Sequence, residues 1–317
     1  MPSMALAGTY IAMITPFSPS GALDAAGLRE NIQWWVAEGV HGLIPSGSAG
    51  EFLQLSDEER ADLMRITVET AAGRVPVVPG VSSDWTAEAK QWALLAESIG
   101  ASGVMLSPPF YATPSEDELF AHYRTVAEAT SLPIMVYNNP VTTGIDMKPP
   151  FLERLSEIPN IRYVKESTRD IRRVEDIHRR TQGRLRVFAG IHALESLLVG
   201  AVGWVSVPAN VAPRLSARLY DAAVHDTNLE EARAISDRLW EIMELEDDTG
   251  KYVQVYKAAL MLMGRPAGPP RLPRLSLAGK ELERLRTSLV AIGAIETGSS
   301  LVAPIRMTSM GGQSRTQ

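Results

Sequence analysis

Two segments carry groups able to do carbonyl chemistry. Val136-Tyr137-Asn138-Asn139-Pro140 and Tyr163-Val164-Lys165-Glu166-Ser167-Thr168 each read as a short apolar strand ending in polar residues. If those strands are neighbours, a phenol and a primary amine stand at matching ends. That pair suits Schiff-base formation, in which the amine attacks a carbonyl carbon while a nearby acid–base group moves the protons. A lysine inside a strand is costly unless it is paired or neutral. Period-two alternation puts Tyr163 and Lys165 on one face and Val164 and Glu166 on the other, so one of Lys165 and Glu166 points inward. The chemical reading selects Lys165. The structural alternative is an inward lysine held in an ion pair, since structural pairs also perturb such groups.

A third segment, Pro45-Ser46-Gly47-Ser48-Ala49-Gly50-Glu51, follows an apolar run. Glycines let the backbone approach a ligand closely, and successive amide N–H groups there can hold a carboxylate. Taken alone, the same string is also an ordinary Ser/Gly turn.

The elements that must position these groups repeat along the chain. Strand-like runs occur at Tyr10–Thr15, Gly42–Pro45, Val75–Val81, Gly103–Ser107, Pro133–Tyr137, Ile161–Lys165, Leu185–Ala189 and Trp204–Val207, with helical spacing between them. Ser56 with Glu59 and Ser115 with Glu118 fit capping boxes. Eight alternating units predict an α/β fold of the (β/α)8 TIM-barrel type, with reactive groups at the C-terminal strand ends. An open doubly wound sheet is the alternative. Against it, Thr15-Pro16-Phe17-Ser18 after the first run is no Gly-rich phosphate turn. Residues 1–225 are assigned to the barrel, 226–296 to a C-terminal helical appendage and 297–317 to a polar flexible tail. In the appendage, Ile235, Leu239, Ile242 and Met243 share one face, as do Leu282, Leu285, Leu289 and Ile292. Arg265–Arg274 reads as an ordered linker, and Glu246-Asp247-Asp248 as a solvated helix end.

Composition narrows the function. A net charge of -6 offers no basic field for nucleic acid, and no apolar run is long enough to span a membrane. The absence of cysteine removes disulfides, thiol nucleophiles and thiolate metal sites. The start of the chain does not resemble a secretory signal, so a cytoplasmic location is expected. Lysine occurs only at positions 90, 148, 165, 251, 257 and 280, and Lys165 alone lies in an apolar strand pattern. No two histidines have metal-ligand spacing beside a carboxylate, so no metal site and no cofactor is expected.

Gly47-Ser48-Ala49-Gly50-Glu51, Tyr137-Asn138-Asn139-Pro140 and Lys165-Glu166-Ser167-Thr168 together resemble the dihydrodipicolinate synthase / N-acetylneuraminate lyase family. Ser107-Pro108-Pro109-Phe110-Tyr111 and Ser206-Val207-Pro208-Ala209-Asn210 add to the likeness, which runs from about Leu6 to about Ile295. The resemblance implies a barrel whose Lys165 forms an imine with pyruvate or another 2-oxo acid, with Tyr137 as proton shuttle. It implies that Ser48 links the Tyr137 hydroxyl to Tyr111, and that Tyr111 reaches a neighbouring subunit, hence a homo-oligomer, dimer or tetramer. Gly47 and the amides of Ser48 and Ala49 would hold the substrate carboxylate, with Gly190 and the Val205 carbonyl lining the pocket.

Three departures bear on the substrate. Ala49 replaces a second hydroxyl in the glycine loop. Thr142 stands where dihydrodipicolinate synthases carry an arginine for a second carboxylate. Gly190-Ile191-His192 lacks the acidic pair that sialic acid lyases use on sugar hydroxyls; His192 itself reads as a specificity residue or as a hydrogen-bonded support. The expectation is a Schiff-base-forming lyase of the aldolase or dehydratase type whose substrate has an apolar or singly hydroxylated tail. Alternatives are dihydrodipicolinate synthase, a dehydratase or aldolase of 2-oxo-3-deoxy sugar acids, a cyclic-imine carboxylate deaminase of hydroxyproline breakdown, and a barrel that binds 2-oxo acids as a non-catalytic regulator.

Overall fold

The computed structural model describes residues 5–296. Seven parallel strands form one sheet: β1 (Gly8–Ala12), β2 (Gly42–Ile44), β3 (Val104–Leu106), β4 (Ile134–Asn138), β5 (Ile161–Glu166), β6 (Arg186–Ala189) and β7 (Gly203–Ser206), in the order β2-β1-β7-β6-β5-β4-β3. Helices intervene, so the sheet curls into a (β/α)8-type barrel.

The run at Val75–Val81 departs from expectation, because it forms isolated bridges, Val77 to Leu43 and Gly80 to Met105, instead of a continuous strand. Pro76 and Pro79 explain this: each lacks the N–H a ladder needs. Their carbonyls still accept from Leu43 (3.0 Å) and Met105 (2.9 Å), so the segment closes the ring between β2 and β3.

Period two is visible in the packing. Tyr10, Met105, Met135, Tyr137, Tyr163 and Phe188 fill the barrel interior. Val104, Ile134, Val136, Val164 and Val187 face the helical layer. Both capping boxes form as the sequence predicts, opening the helices Asp57–Ala71 and Glu116–Ala127.

The C-terminal helices Leu229–Thr249, Tyr252–Leu262 and Gly279–Ala291 pack on one another. Ile235, Leu239 and Ile242 are buried, as are Leu285 and Leu289, each worth about 1.5–3 kcal/mol. Between the last two helices the chain returns over the barrel mouth. Gly268 passes so close to Phe17 that a Cβ there would lie 2.0 Å from the Phe17 carbonyl oxygen. Arg271 then ties the segment down through Glu59, the Gln54 carbonyl (2.5 Å) and the Gly21 carbonyl (2.6 Å). Among the described residues no helix is long and apolar enough to cross a membrane. The tail expected at 297–317 lies outside the described residues.

Candidate active site

Pairing of β4 with β5 sets Tyr137 opposite Lys165 and Asn138 opposite Glu166. Tyr163 belongs to the interior layer and Val164 to the outer one, so alternation turns Lys165 inward, as the chemical reading requires. Lys165 is 6% exposed, with Nζ 4.1 Å from the Tyr137 ring centroid. Among the described residues its amine has no hydrogen-bond acceptor and no carboxylate within ion-pair distance.

Glu166 turns the other way and belongs to the framework. It accepts from Asn138 Nδ2 (3.1 Å) and the Thr168 N–H (2.8 Å). Burial raises its carboxyl above the usual range, against the pull of those donors. Asn138 also accepts from the Met147 N–H (3.0 Å) and donates to Asp146 (3.3 Å). Asp146, held below the usual carboxylate range chiefly by its hydrogen bonds from Arg173, completes a lock on the two strand ends.

The glycine loop is braced from below. The Arg60 guanidinium donates to Ser46 Oγ (2.8 Å), the Gly80 carbonyl (3.0 Å) and the Ser82 carbonyl (3.1 Å), and stacks 4.5 Å from the Trp92 ring centroid. Within the loop the Gly50 N–H donates to the Gly47 carbonyl and the Glu51 N–H to the Ser48 carbonyl. The N–H groups of Ser48 and Ala49 have no acceptor among the described residues, the arrangement an anion-binding nest needs. Glu51 is fully buried against Lys257 (2.7 Å) and accepts from the Arg271 N–H (2.9 Å).

A cavity of about 240 Å³ opens here, with Ser48, Tyr137, Thr142, Ser107, Tyr252 and Arg274 in its walls. Of the residues the sequence singles out, Ser48, Tyr137 and Thr142 meet at this cavity; Gly47 and Ala49 belong to the loop that forms one wall. Lys165 lies behind Tyr137, which both faces its amine and lines the cavity. Gly190 has no room for a side chain: a Cβ would sit 1.8 Å from Ser167 Oγ. It keeps the ends of β5 and β6 in contact. Val205 is buried in the interior layer.

Two expected placements look different within one protomer. Ser48 makes no side-chain hydrogen bond to either phenol among the described residues, the expected link being one to a neighbouring subunit's phenol. The Tyr137 hydroxyl instead accepts from Asn139 Nδ2 (2.9 Å), and Tyr111 is 89% exposed, its N–H donating to Asp84 Oδ1 (3.3 Å). His192 is not in the cavity wall; it adopts φ 50° where the Ala193–Leu198 helix begins.

The model of the dihydrodipicolinate synthetase family matches residues 5–292. The chain belongs to the dihydrodipicolinate synthetase family. It is 36% identical over 290 residues to the 4-hydroxy-tetrahydrodipicolinate synthase of Archaeoglobus fulgidus, covering 91% of this chain and 99% of that one. Among solved structures, a putative dihydrodipicolinate synthetase from Pseudomonas aeruginosa matches with a TM-score of 0.86 and 38% identity, over 91% of this chain and 100% of that one. The chloride-inhibited dihydrodipicolinate synthase of Acinetobacter baumannii, solved with pyruvate, matches with a TM-score of 0.88 and 30% identity, over 92% and 100% of the two chains. This dihydrodipicolinate synthetase family member is an enzyme, a class I aldolase-type lyase that works through a lysine imine.

Three residues near this family member's site escape the sequence reading, and all come from the C-terminal region. Tyr252 and Arg274 line the cavity. Of the run read as a solvated helix end, Asp247 and Asp248 are exposed in the last turn of the helix, but Glu246 turns its carboxylate to the buried Tyr256 hydroxyl (2.8 Å). Burial pushes the Glu246 carboxyl up to about 7, against pulls that include the charge of Lys165.

Proposed function

We propose that Lys165 is the imine-forming nucleophile and that the enzyme condenses pyruvate with a second substrate, as a 4-hydroxy-tetrahydrodipicolinate synthase does. One observation carries this reading: a buried strand-end amine with no acidic partner, facing a phenol that lines a cavity. The pyruvate carboxylate fits the free amides of Ser48 and Ala49. Its carbonyl carbon then meets Nζ, the amine adds, and Tyr137 delivers the protons that let water leave. Loss of a methyl proton from the imine gives an enamine, the carbon nucleophile for an aldehyde. Ala49, Thr142 and His192 suit a substrate without a second carboxylate; the names of the relatives favour the synthase. The exposed Tyr111 supports an assembly in which a second copy covers it, as the homo-oligomer expectation requires.

The test is incubation with pyruvate and borohydride, followed by peptide mass analysis. A stable adduct on Lys165 is expected. A protein that binds pyruvate and stays unmodified is the non-catalytic regulator instead. A coupled assay then compares aspartate semialdehyde with 2-oxo-3-deoxy acids. Turnover of the 2-oxo-3-deoxy acids alone identifies a catabolic dehydratase or aldolase, the class that an uncharged Thr142, its hydroxyl turned to the Asn139 carbonyl (3.2 Å), would suit.

A further inference from the structure

The charges around the cavity do not cancel. Two of its wall residues carry full charges, Glu51 and Arg274. Glu51 is already matched by the Lys257 ammonium at 2.7 Å and the Arg271 N–H at 2.9 Å. Arg274 makes no ion pair with any described residue. Its Nη1 donates to the neutral Gln54 Oε1 at 2.7 Å, and the Tyr252 hydroxyl accepts from it as well. A guanidinium has five N–H donors in a rigid fork, so two neutral acceptors orient it and leave donors over. Its presentation is rigid too. Arg271, three positions earlier, is anchored to Glu59 and to the carbonyls of Gln54 and Gly21.

The rest of the wall points the same way. Thr142, Thr143 and Ser107 offer hydroxyls, and Phe52 and Phe110 offer apolar surface, but none offers charge. One end of the cavity therefore approaches Tyr137 and the amine behind it, and the wall holds a single uncompensated cation contributed by the C-terminal segment.

We propose that Arg274 is a specificity-determining residue that binds a carboxylate on the substrate's distal half, so that the enzyme prefers a partner bearing an anionic group remote from the reacting carbonyl. Fork geometry fits a carboxylate through two parallel N–H···O bonds. This assignment rests on Lys165 as the reacting amine for its catalytic consequence, but the binding it predicts does not need the imine. It also bears on Thr142: a charge missing from the segment after β4 is supplied from a different part of the chain.

Two measurements on the full chain test it. The first compares kcat/KM for the addition of pyruvate to succinic semialdehyde and to butanal, four-carbon aldehydes that differ by one terminal carboxylate. In Arg274→Leu the ratio of the two is expected to fall about 10- to 100-fold, mostly through KM for the charged aldehyde, with Arg274→Lys in between. The second measures glutarate binding to the protein without pyruvate, expected to weaken by a similar factor in Arg274→Leu. Equal ratios and equal glutarate affinity in wild type and Arg274→Leu overturn the assignment. A wild-type enzyme that gives no pyruvate adduct under borohydride, yet shows Arg274-dependent glutarate binding, overturns the Lys165 reading and leaves this one standing.

Discussion

The molecule buries two lysines, and their surroundings differ in the one respect that decides reactivity. Lys257 is fully enclosed, its ammonium 2.7 Å from the equally enclosed Glu51, 3.1 Å from the Pro269 carbonyl and 3.9 Å from the Phe17 ring centroid. Burial draws it down to about 8 while Glu51 pulls the other way, so it stays protonated at neutral pH. A protonated amine is no nucleophile, and Lys257 serves as a strut between the C-terminal helices and the glycine loop. Lys165 is nearly as buried, yet it has a phenol ring for a neighbour and no carboxylate within ion-pair distance. What sets Lys165 apart is a phenol and a cavity beside an amine with no carboxylate at ion-pair distance, the setting that the proposed imine role needs.

Substitutions at the two sites separate the roles. Lys165→Met is expected to reduce turnover to the background rate and abolish borohydride trapping while leaving a folded protein, as judged by circular dichroism. Lys257→Met is expected to destabilise the fold by about 3–5 kcal/mol, since it strands the buried Glu51 carboxylate, while its folded fraction still traps pyruvate at Lys165. Denaturant titration reads that loss directly. Adding Glu51→Met to Lys257→Met should recover part of it, because removing both ions removes the stranded charge; the Arg271 N–H, left without its acceptor, keeps the recovery incomplete.

A smaller effect is expected at the phenol that faces Lys165. Tyr137→Phe should lower kcat by about 100-fold with little change in the unfolding midpoint, because a ring remains to fill the interior layer. Equal losses of stability and activity would make the phenol a structural group.

The smallest effect is at Glu246. Its folded-state value is raised from 4.5 to about 7, so the folded chain holds a proton there that the unfolded chain has released. That contribution to stability is complete below about 4.5 and disappears as pH climbs through about 7. Glu246→Gln cannot ionise, so its melting temperature relative to wild type is expected to rise between pH 5 and pH 8. A difference that shrinks over that range sinks the assignment.

Local pattern carried the barrel and the amine. Alternation narrowed the inward residue to Lys165 or Glu166 and the chemical reading chose Lys165, while only the packing of Val164 in the outer layer decides it; the boxes at Ser56 and Ser115 were readable from four residues each. Val75–Val81 misled because its apolar content suits a strand while Pro76 and Pro79 withhold the donors a ladder needs. Glu246 was misread because its acidic neighbours suggest solvent, and only the packing of Tyr256 above it shows otherwise. Tyr252 and Arg274 were beyond reach for another reason. They meet Tyr137 across a long stretch of chain, and no periodicity records which residue of a linker returns to a cavity. Asn139 was legible only as part of a motif; its bond to the Tyr137 hydroxyl is a matter of side-chain geometry.

The tether between Glu51 and the C-terminal segment also has a temporal meaning. Glu51 leaves the ribosome 206 residues before Lys257 and 220 before Arg271. Through the later part of that interval the nascent chain already possesses Tyr137 and then Lys165, but the loop proposed to cradle a carboxylate rests on Arg60 without its Glu51 tether. Completion of the loop therefore waits on the synthesis of Lys257 and Arg271, and a product truncated ahead of them carries the Lys165 amine without the tether of the loop beside it.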